Sequence, residues 1–320
     1  MAEPTLIEQL DRAVETLLTR RDSPPPAADP EVTALLRLAA DLRDLPREEF
    51  KQQLKSDLER KAAMTTTTAT HEGVQTVTPY LVVERLEEFL AFLGQAFGAE
   101  ETLRAPGSAG GTHVELRLDD STFMAGSAPG APGSPIAMHL YVPDADAVYR
   151  RALAAGATPF YEPMDQPYGD REAGVRDGHG NTWYIATHKA TGHRPRGLRA
   201  VTPTLHARGA DSLLDFLKRG LGGEEEVCER SPEGAVRHAS VRFADSVVEV
   251  GEARGPIEPT AGMLLLAVPD VDAAYERALA AGGISLEAPA DQRYGARRAG
   301  VKDSHGNSWY FSAPLKGVRP

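Results

Sequence analysis

Two stretches of the chain decide its architecture because they are nearly the same sequence. Residues 165–184 read DQPYGDREAGVRDGHGNTWY, and residues 291–310 read DQRYGARRAGVKDSHGNSWY, which align without a gap. Upstream, residues 143–156 (PDADAVYRRALAAG) and 269–282 (PDVDAAYERALAAG) differ at three of fourteen positions and keep the same offset of 126. Self-similarity at a fixed period indicates a repeated structural unit. The chain therefore contains a tandem duplication.

Each copy shows strand and helix patterns in the order β-α-β-β-β. Residues 86–97 repeat apolar positions at helical spacing, and residues 113–118 alternate apolar and polar side chains as a strand does. The predicted fold class is α/β (α+β), with two tandem βαβββ modules at residues 74–190 and 198–316. The predicted elements of the first copy are strands at 77–83, 113–118, 122–125, 137–142 and 182–187 and helices at 86–97 and 144–155.

Residues 1–64 differ from the duplicated part and predict a helical arm. Leu6, Leu10 and Val14 recur at helical spacing, and Asp29-Pro30 offers a helix cap followed by proline at the first helical position. A polar linker, residues 65–73, contains the run TTTTAT. The arm is expected to dock or dimerise, or else to pack on its own chain, so the protein is expected to be a monomer or a homodimer.

Composition limits the classes of partner and compartment. The formal net charge is −11, which argues against nucleic acid and against an anionic membrane surface as partners. No stretch approaches the roughly 18 consecutive apolar residues of a membrane span. Cys228 is the single cysteine, so an intrachain disulfide is excluded. The charged N-terminus does not have the pattern of a signal peptide, and the expected location is the cytoplasm.

Four segments of the duplicated part together resemble a known family. They are TPYLVV (78–83), MHLYVPD (138–144), YGDR (168–171) and DGHGNTWYIATH (177–188). The resemblance is to the vicinal oxygen chelate superfamily, in its glyoxalase and bleomycin-resistance branch, and it covers residues 74–314. The second copy has TPTLHA and YGAR at the matching places. The family includes isomerases, dioxygenases, lyases, epimerases and non-catalytic drug-binding proteins, and the resemblance implies strands that curl around a central cup with helices outside.

Strand alternation then assigns the side chains that face this cup. Val114, Leu116 and Leu118 are apolar and are expected under the helices, so His113 and its alternate neighbours face the cup. The predicted cup residues of the first copy are His113, Glu115, Arg117, His139, Tyr141 and Tyr184, and those of the second are His206, His238, Arg242, Glu249 and Tyr310. His113, Glu115 and His139 are expected to share the cup face of the first copy, and His206, His238 and Glu249 that of the second. The two fused modules are expected to form a complete cup within one chain, and such a polar lining is typical of a ligand site.

The resemblance also implies a divalent ion held at four strand positions by His, Glu or Gln. These positions fall on Thr78, Met124, Ala137 and Tyr184 in the first copy and on Thr202, Glu249, Met263 and Tyr310 in the second. Of these, Glu249 is the credible ligand, because Thr, Ala and Met do not hold such ions there. The usual metal site is therefore expected to be lost, and no cofactor is expected. The alternative is a divalent metal relocated to His206, His238 and Glu249.

A loop before the last strand is a further candidate for ligand contact. This loop could bind a ligand at the mouth of the cup, since a guanidinium pairs with carboxylate or phosphate. The residues concerned are Tyr168 and Arg171 of the YGDR segment and Tyr294 and Arg297 of the second copy. Alternatively, Asp170 and Arg171 fix the loop locally. His179 and His305 lie in turns and are expected to be structural.

Three functions follow from these residues. The first is a binding protein that sequesters a small, partly apolar organic molecule without a metal. The second is a metal-dependent lyase, isomerase or dioxygenase, in which Glu249 or Glu115 acts as the catalytic base beside a carbonyl. The third is a ligand sensor that acts through the helical arm.

Overall fold

The computed structural model describes residues 75–107, 110–190 and 192–315. The predictions for the arm, residues 1–64, and for the linker, residues 65–73, lie outside these residues. None of the described helices is long and apolar enough to cross a bilayer.

The first copy contains two βαβββ motifs. Motif 1 consists of β1 (Val77–Val82), α1 (Leu86–Phe97), β2 (Glu100–Pro106), β3 (Thr112–Leu118) and β4 (Ser121–Ser127). Motif 2 consists of β5 (Ala137–Tyr141), α2 (Ala145–Ala154), β6 (Thr158–Asp165), β7 (Asp170–Arg176) and β8 (Thr182–His188).

The second copy repeats this arrangement. Motif 3 consists of β9 (Val201–Ala207), α3 (Ala210–Asp215), a π-helical turn (Phe216–Gly220), β10 (Glu224–Arg230), β11 (Val236–Phe243) and β12 (Ser246–Glu252). Motif 4 consists of β13 (Met263–Ala267), α4 (Val271–Ala280), β14 (Ile284–Asp291), β15 (Ala296–Lys302) and β16 (Ser308–Pro314). The predicted α+β class with two tandem modules is confirmed, and each copy holds two βαβββ motifs where the sequence pattern showed one.

The strands form two eight-stranded sheets, and each sheet takes half of its strands from each copy. Sheet A has the order β14-β15-β16-β13-β1-β4-β3-β2 and joins motifs 1 and 4, whereas sheet B has the order β10-β11-β12-β9-β5-β8-β7-β6 and joins motifs 2 and 3. The joining pairs are antiparallel: Thr78 lies opposite Leu265 across β1 and β13, and His139 lies opposite Thr202 across β5 and β9.

This pairing corrects the predicted grouping of cup residues. His113 and Glu115 lie on β3 in sheet A, whereas His139 lies on β5 in sheet B. The prediction that these three share the cup of one copy is therefore wrong. His139 instead shares its sheet with His206, His238 and Glu249 of the other copy, because β5 pairs with β9 rather than with a strand of motif 1.

One face of each sheet packs on the helices and forms the core. Val114, Leu116 and Leu118 are buried as predicted, and Trp183 and Trp309 are fully buried. The N–H of Ala147 donates to the side chain of Asp144, which begins α2 with an N-terminal cap. The opposite face of each sheet is called the cup face below.

Two short turns connect the sheets reciprocally. The hydroxyl of Ser121, the first residue of β4 in sheet A, accepts the N–H of Val201 at the start of β9 at 2.9 Å. The hydroxyl of Ser246, the first residue of β12 in sheet B, accepts the N–H of Val77 at the start of β1 at 3.0 Å. Each sheet therefore satisfies the first backbone donor of a central strand in the other.

Asp177 organises the turn that contains His179. Its carboxylate is buried and accepts the N–H groups of His179 and Asn181, the Asn181 amide, and the Trp183 indole N–H at 2.8–3.0 Å. Asp303 makes the same four contacts in the second copy. The His179 ring packs edge-on against Phe89, which agrees with a structural role for this turn.

We expect Asp177→Ala and Asp303→Ala each to lower the free energy of unfolding by about 3 kcal/mol, because buried donors would lose their acceptor. Urea denaturation followed by tryptophan fluorescence measures the loss. Asp144→Ala, which removes only a helix cap, is the control and should lose about 1 kcal/mol. Equal losses in the three variants would contradict a special role for the buried turn carboxylates.

Candidate functional site

Three side chains from three strands meet on the cup face of sheet B. His139 faces the cup because its neighbours Met138 and Leu140 are fully buried on the helix side of β5. By the same alternation, Ala173 and Val175 turn Glu172 of β7 inward. Val248 and Val250 do the same for Glu249 of β12, and all three inward side chains are buried.

His139 lies between the two carboxylates. Its Nδ1 is 3.0 Å from Glu249 Oε2, and its Nε2 is 3.2 Å from Glu172 Oε2. The Nε2 contact is close but lacks the geometry of a hydrogen bond, so this buried nitrogen has no hydrogen-bond partner among the described residues. Thr204 donates to Glu249 at 3.0 Å, and Tyr161 and Tyr168 donate to Glu172 at 2.5 and 3.2 Å.

The electrostatics make this arrangement an ion cluster. Burial alone would lower the pKa of His139, but the charges of Glu249 and Glu172, together with the hydrogen bond to Glu249, outweigh it and hold that pKa well above 6.5. Burial would raise the pKa of both carboxyl groups, but His139 outweighs burial and lowers each pKa below 4.5. An imidazolium therefore lies between two carboxylates, and we call His139, Glu172 and Glu249 the His139 cluster.

A second layer supports the cluster from one side. The Tyr141 ring stacks on the His139 ring at 4.4 Å, and its hydroxyl donates to Asp170 Oδ2 at 3.1 Å. Asp170 Oδ1 lies 2.5 Å from His188 Nδ1. Asp170 is buried, so these two contacts fix its carboxylate next to the cluster.

Aromatic and histidine side chains surround the cluster. His238 Nε2 is 3.8 Å from Glu249 Oε1, and this carboxylate raises the pKa of His238. Burial lowers the pKa of His206 to about 4, so this imidazole is neutral near pH 7. The Tyr184 ring meets His139 and His206 edge-on, at 6.4 and 5.7 Å between ring centroids. Of the predicted residues, sheet B brings together His139, Tyr141, Tyr168, Tyr184, His206, His238 and Glu249.

Sequence reasoning missed Glu172, Tyr161 and His188, and it assigned Asp170 only a local role. The sequence does contain a pattern that points to Glu172. Ala173 and Val175 alternate with other residues, which indicates a strand at β7 and places Glu172 on the face opposite to them. The predicted loop at residues 168–171 is followed by no predicted strand before residue 182, whereas β7 begins at Asp170. Tyr161 lies on β6, whose exposed residues give little alternation of burial.

The predicted arginines form ion pairs with neighbouring acids. Arg171 donates two hydrogen bonds of 2.7 Å to Asp146 at the start of α2, and Arg297 makes the matching contacts with Asp272. Arg117 pairs with Glu100, and Arg242 pairs with Glu226. This geometry favours the interpretation in which Arg171 fixes local structure. Tyr294 is well exposed in the turn before β15 of sheet A.

The usual metal positions and the relocated triad give different results. Of the positions that the resemblance assigns to the metal, sheet B contains Ala137, Thr202, Tyr184 and Glu249, and only Glu249 is one of the His, Glu or Gln ligands expected there. Among the described residues, the donor atoms that approach within 4.8 Å of one another belong to His139, Asp170 and Glu172. The donor atoms of His206, His238 and Glu249, the predicted triad, do not form such a group, and Glu249 is hydrogen-bonded to His139. The donor types of the observed group are compatible with a divalent ion.

The sequence model of the Glyoxalase/Bleomycin resistance protein/Dioxygenase superfamily matches residues 73–185 and 203–311. The chain belongs to this superfamily. Uncharacterized relatives of this glyoxalase-superfamily protein occur in Mycobacterium bovis and Mycobacterium tuberculosis. Each is 38% identical over 122 residues, an alignment that spans 34% of this chain and 80% and 72% of the respective relatives.

Solved structures share the fold of this glyoxalase-superfamily chain. Glyoxalase I from Zea mays has a TM-score of 0.59 at 14% identity, covering 74% of this chain and 92% of that one. A putative dioxygenase from Bacillus subtilis has a TM-score of 0.52 at 14% identity, covering 78% and 87%. At these identities the likeness shows the fold alone.

We expect the paired ionisation of His139 and Glu249 to give a pH-dependent stability. The pKa of His139 is raised in the folded state, so its stabilisation of the fold is complete below pH 6.5 and is lost as the pH rises through the folded-state pKa. The pKa of Glu249 is lowered in the folded state, so its stabilisation of the fold is complete above pH 4.5 and is lost as the pH falls. The advantage of the wild type over His139→Gln/Glu249→Gln should be largest between these values and fall by up to about 1.4 kcal/mol per pH unit above pH 6.5.

Chemical denaturation of both proteins across this pH range measures that difference. Nitrogen-15 shifts of the His139 imidazole provide an independent reading, since both ring nitrogens should remain protonated as the pH rises above 6.5. A stability difference that grows above pH 6.5, or an imidazole that titrates at its ordinary value, would contradict the ion cluster.

Proposed function

We propose that this protein binds a small organic molecule on the cup face of sheet B, with the His139 cluster in place of the metal usual in the superfamily. The observation that carries the proposal is the imidazolium of His139 between Glu249 and Glu172, with hydrogen-bond distances on both sides. A fixed ion cluster with aromatic side chains around it is suited to orienting a polar ligand.

The charges of the cluster favour a ligand that carries a positive charge. Glu172 and Glu249 contribute two carboxylates against the single imidazolium of His139, and Asp170 adds a third carboxyl group beside them. The cluster as a whole is therefore acidic. A cation bound next to it would gain Coulomb energy in a site where burial reduces solvent screening.

The aromatic residues add a second reason for a cation with an apolar body. Tyr184 and Tyr161 lie almost parallel, with ring centroids 6.3 Å apart. Tyr168 is more than half exposed, and its hydroxyl reaches Glu172. Tyrosine faces attract organic cations through the ring quadrupole, and they also cover apolar ligand surface. The proposed ligand is thus a small organic ammonium compound with an aromatic or aliphatic body.

Benzyltrimethylammonium is a direct probe of this site. We expect isothermal titration calorimetry to detect saturable binding to the wild type, and we expect Glu172→Gln to raise the Kd about tenfold through loss of a buried charge. Tyr184→Leu should also weaken binding, because it removes a ring face. Benzyl alcohol, which lacks the charge, should bind more weakly than the cation.

Glu162→Gln is the matched control, since it makes the same charge change on β6. Glu162 is exposed and acts electrostatically on Tyr149 of α2, on the helix side of the sheet. Its Kd for the probe should stay within about twofold of the wild type. Equal weakening by Glu162→Gln and Glu172→Gln, or no binding of the cation to the wild type, would refute the proposed ligand class.

A divalent metal held by His139, Asp170 and Glu172 is the second candidate, favoured by the approach of their donor atoms within 4.8 Å. Such an ion would polarise a carbonyl or generate a nucleophile, as in a lyase, isomerase or dioxygenase. It would have to displace the His139 proton and the contacts that Asp170 makes with Tyr141 and His188.

Metal binding separates the two candidates. Under the first, protein purified without added metal contains no stoichiometric metal, and added Ni²⁺ leaves the His139 nitrogen shifts unchanged at pH 7. Under the second, stoichiometric metal is present, and Glu172→Gln and Asp170→Asn each remove it while Glu162→Gln does not. That second result would replace the ion cluster with a metal centre.

A further inference from the structure

The cup face of sheet A occupies the equivalent place in the other sheet, but it has different chemistry. We propose that it is a second binding site, built around Arg298 and selective for a small organic carboxylate. This goes beyond the proposed function, which concerns the residues of sheet B.

The duplication shows how the two cup faces differ. Motif 4 of sheet A is the copy of motif 2, at an offset of 126, and motif 1 is the copy of motif 3. At matching positions, sheet A has Arg298 for Glu172, Leu265 for His139, Ala296 for Asp170, Pro314 for His188 and Met124 for Glu249. The acidic cluster of sheet B is therefore replaced by one guanidinium and apolar side chains.

The guanidinium of Arg298 is less fully paired than that of its neighbour Arg297. Its Nε is buried and forms an ion pair of 3.5 Å with Glu287 Oε2, but it has no hydrogen-bond partner among the described residues. Glu287 itself accepts a hydrogen bond of 3.0 Å from Gln292 through its other oxygen. By contrast, the adjacent Arg297 makes short hydrogen bonds to Asp272 and Asp291. A buried donor without an acceptor is costly, so the structure favours an external acceptor for Arg298.

The guanidinium of Arg298 is held in place by an aromatic ring. Its Cζ lies 4.2 Å from the centroid of Tyr310, with which it makes a cation–π contact. Gly300 permits this arrangement, because a Cβ at that position would come within 2.7 Å of the Tyr310 ring. The ring therefore lies against the strand and supports the guanidinium from one side.

Tyr80 and His113 complete the polar part of the cup face. Tyr80 OH is 3.3 Å from His113 Nδ1, and the charge of Arg298 partly opposes the effect of burial on the pKa of Tyr80, which is nevertheless raised. Arg298 is therefore close enough to Tyr80 to influence its ionisation. His113 Nε2 is 3.7 Å from Glu115, so this acid lies against a histidine.

The remaining surface of this cup face suits an apolar ligand body. Met263 and Met124 flank Tyr80 in register on the neighbouring strands. Leu286 and Tyr294, on β14 and in the turn before β15, are exposed. A planar guanidinium pairs with a carboxylate through two parallel hydrogen bonds, and methionine adapts to flat apolar groups. A small carboxylate with an aromatic or aliphatic body is the ligand class that fits.

Phenylacetate is the probe for this site. Isothermal titration calorimetry should show saturable binding to the full-length wild type, and Arg298→Gln should raise the Kd at least about tenfold. Arg298→Lys should lose part of the affinity, because an ammonium cannot form the planar pair. Arg297→Gln is the matched control, one residue away with the same charge change, and should leave the Kd within about twofold.

The stability of the variants separates a binding role from a structural one. If Arg298 serves a ligand, Arg298→Gln should leave the thermal midpoint of the ligand-free protein unchanged or higher, and phenylacetate should raise the midpoint of the wild type but not of this variant. Benzyltrimethylammonium binding to sheet B should be unaffected by Arg298→Gln, which verifies the fold of the variant. Loss of phenylacetate binding can be distinguished from loss of benzyltrimethylammonium binding, because the two probes carry opposite charges and are measured separately.

Three results would overturn the proposal. The first is the absence of saturable phenylacetate binding to the wild type. The second is equal weakening by Arg298→Gln and Arg297→Gln. The third is a lower thermal midpoint for Arg298→Gln together with unchanged phenylacetate affinity, which would assign Arg298 to the stability of sheet A.

Discussion

The antiparallel pairing of β5 with β9 is the constraint on which the candidate site depends. It places His139 of the first copy 3.0 Å from Glu249 of the second, although 110 positions separate them in the chain. The equivalent pairing of β1 with β13 builds the other sheet in the same way. Neither copy therefore supplies all the strands of either sheet alone.

Charge pairing then decides what each cup face can do. In sheet B, burial of His139 is unfavourable for a cation, but two carboxylates outweigh that penalty and hold the imidazolium rigidly. The contacts of this ion cluster join β5, β7 and β12, so removing one partner would leave a charge buried without compensation. In sheet A, Arg298 has an aromatic support without a full set of acceptors, which leaves hydrogen-bonding capacity for a ligand.

The sequence correctly predicted which strand residues are buried, because local alternation determines this. It did not predict which strands pair when they are distant in the chain. Alternation correctly placed Val114 and Leu116 on the helix side, because burial on one face shows as period two. The edge strands β2 and β6 were missed because their residues are mostly exposed and show no buried stripe. Because β7 was not predicted, Glu172 was not recognised as a cup residue. Strands of the two copies pair with each other, which no local pattern encodes, and for this reason His113 was wrongly grouped with His139.

Because the two copies are fused in one chain, the two cup faces need not have identical residues at matching positions. In a dimer of identical chains with this architecture, one mutation would appear in both faces at once, so an arginine at the position of Glu172 would remove the acidic cluster everywhere. Here position 172 keeps glutamate while its counterpart, position 298, carries arginine. A single folded chain can thereby carry a substitution on one cup face while the matching position of the other face keeps its residue.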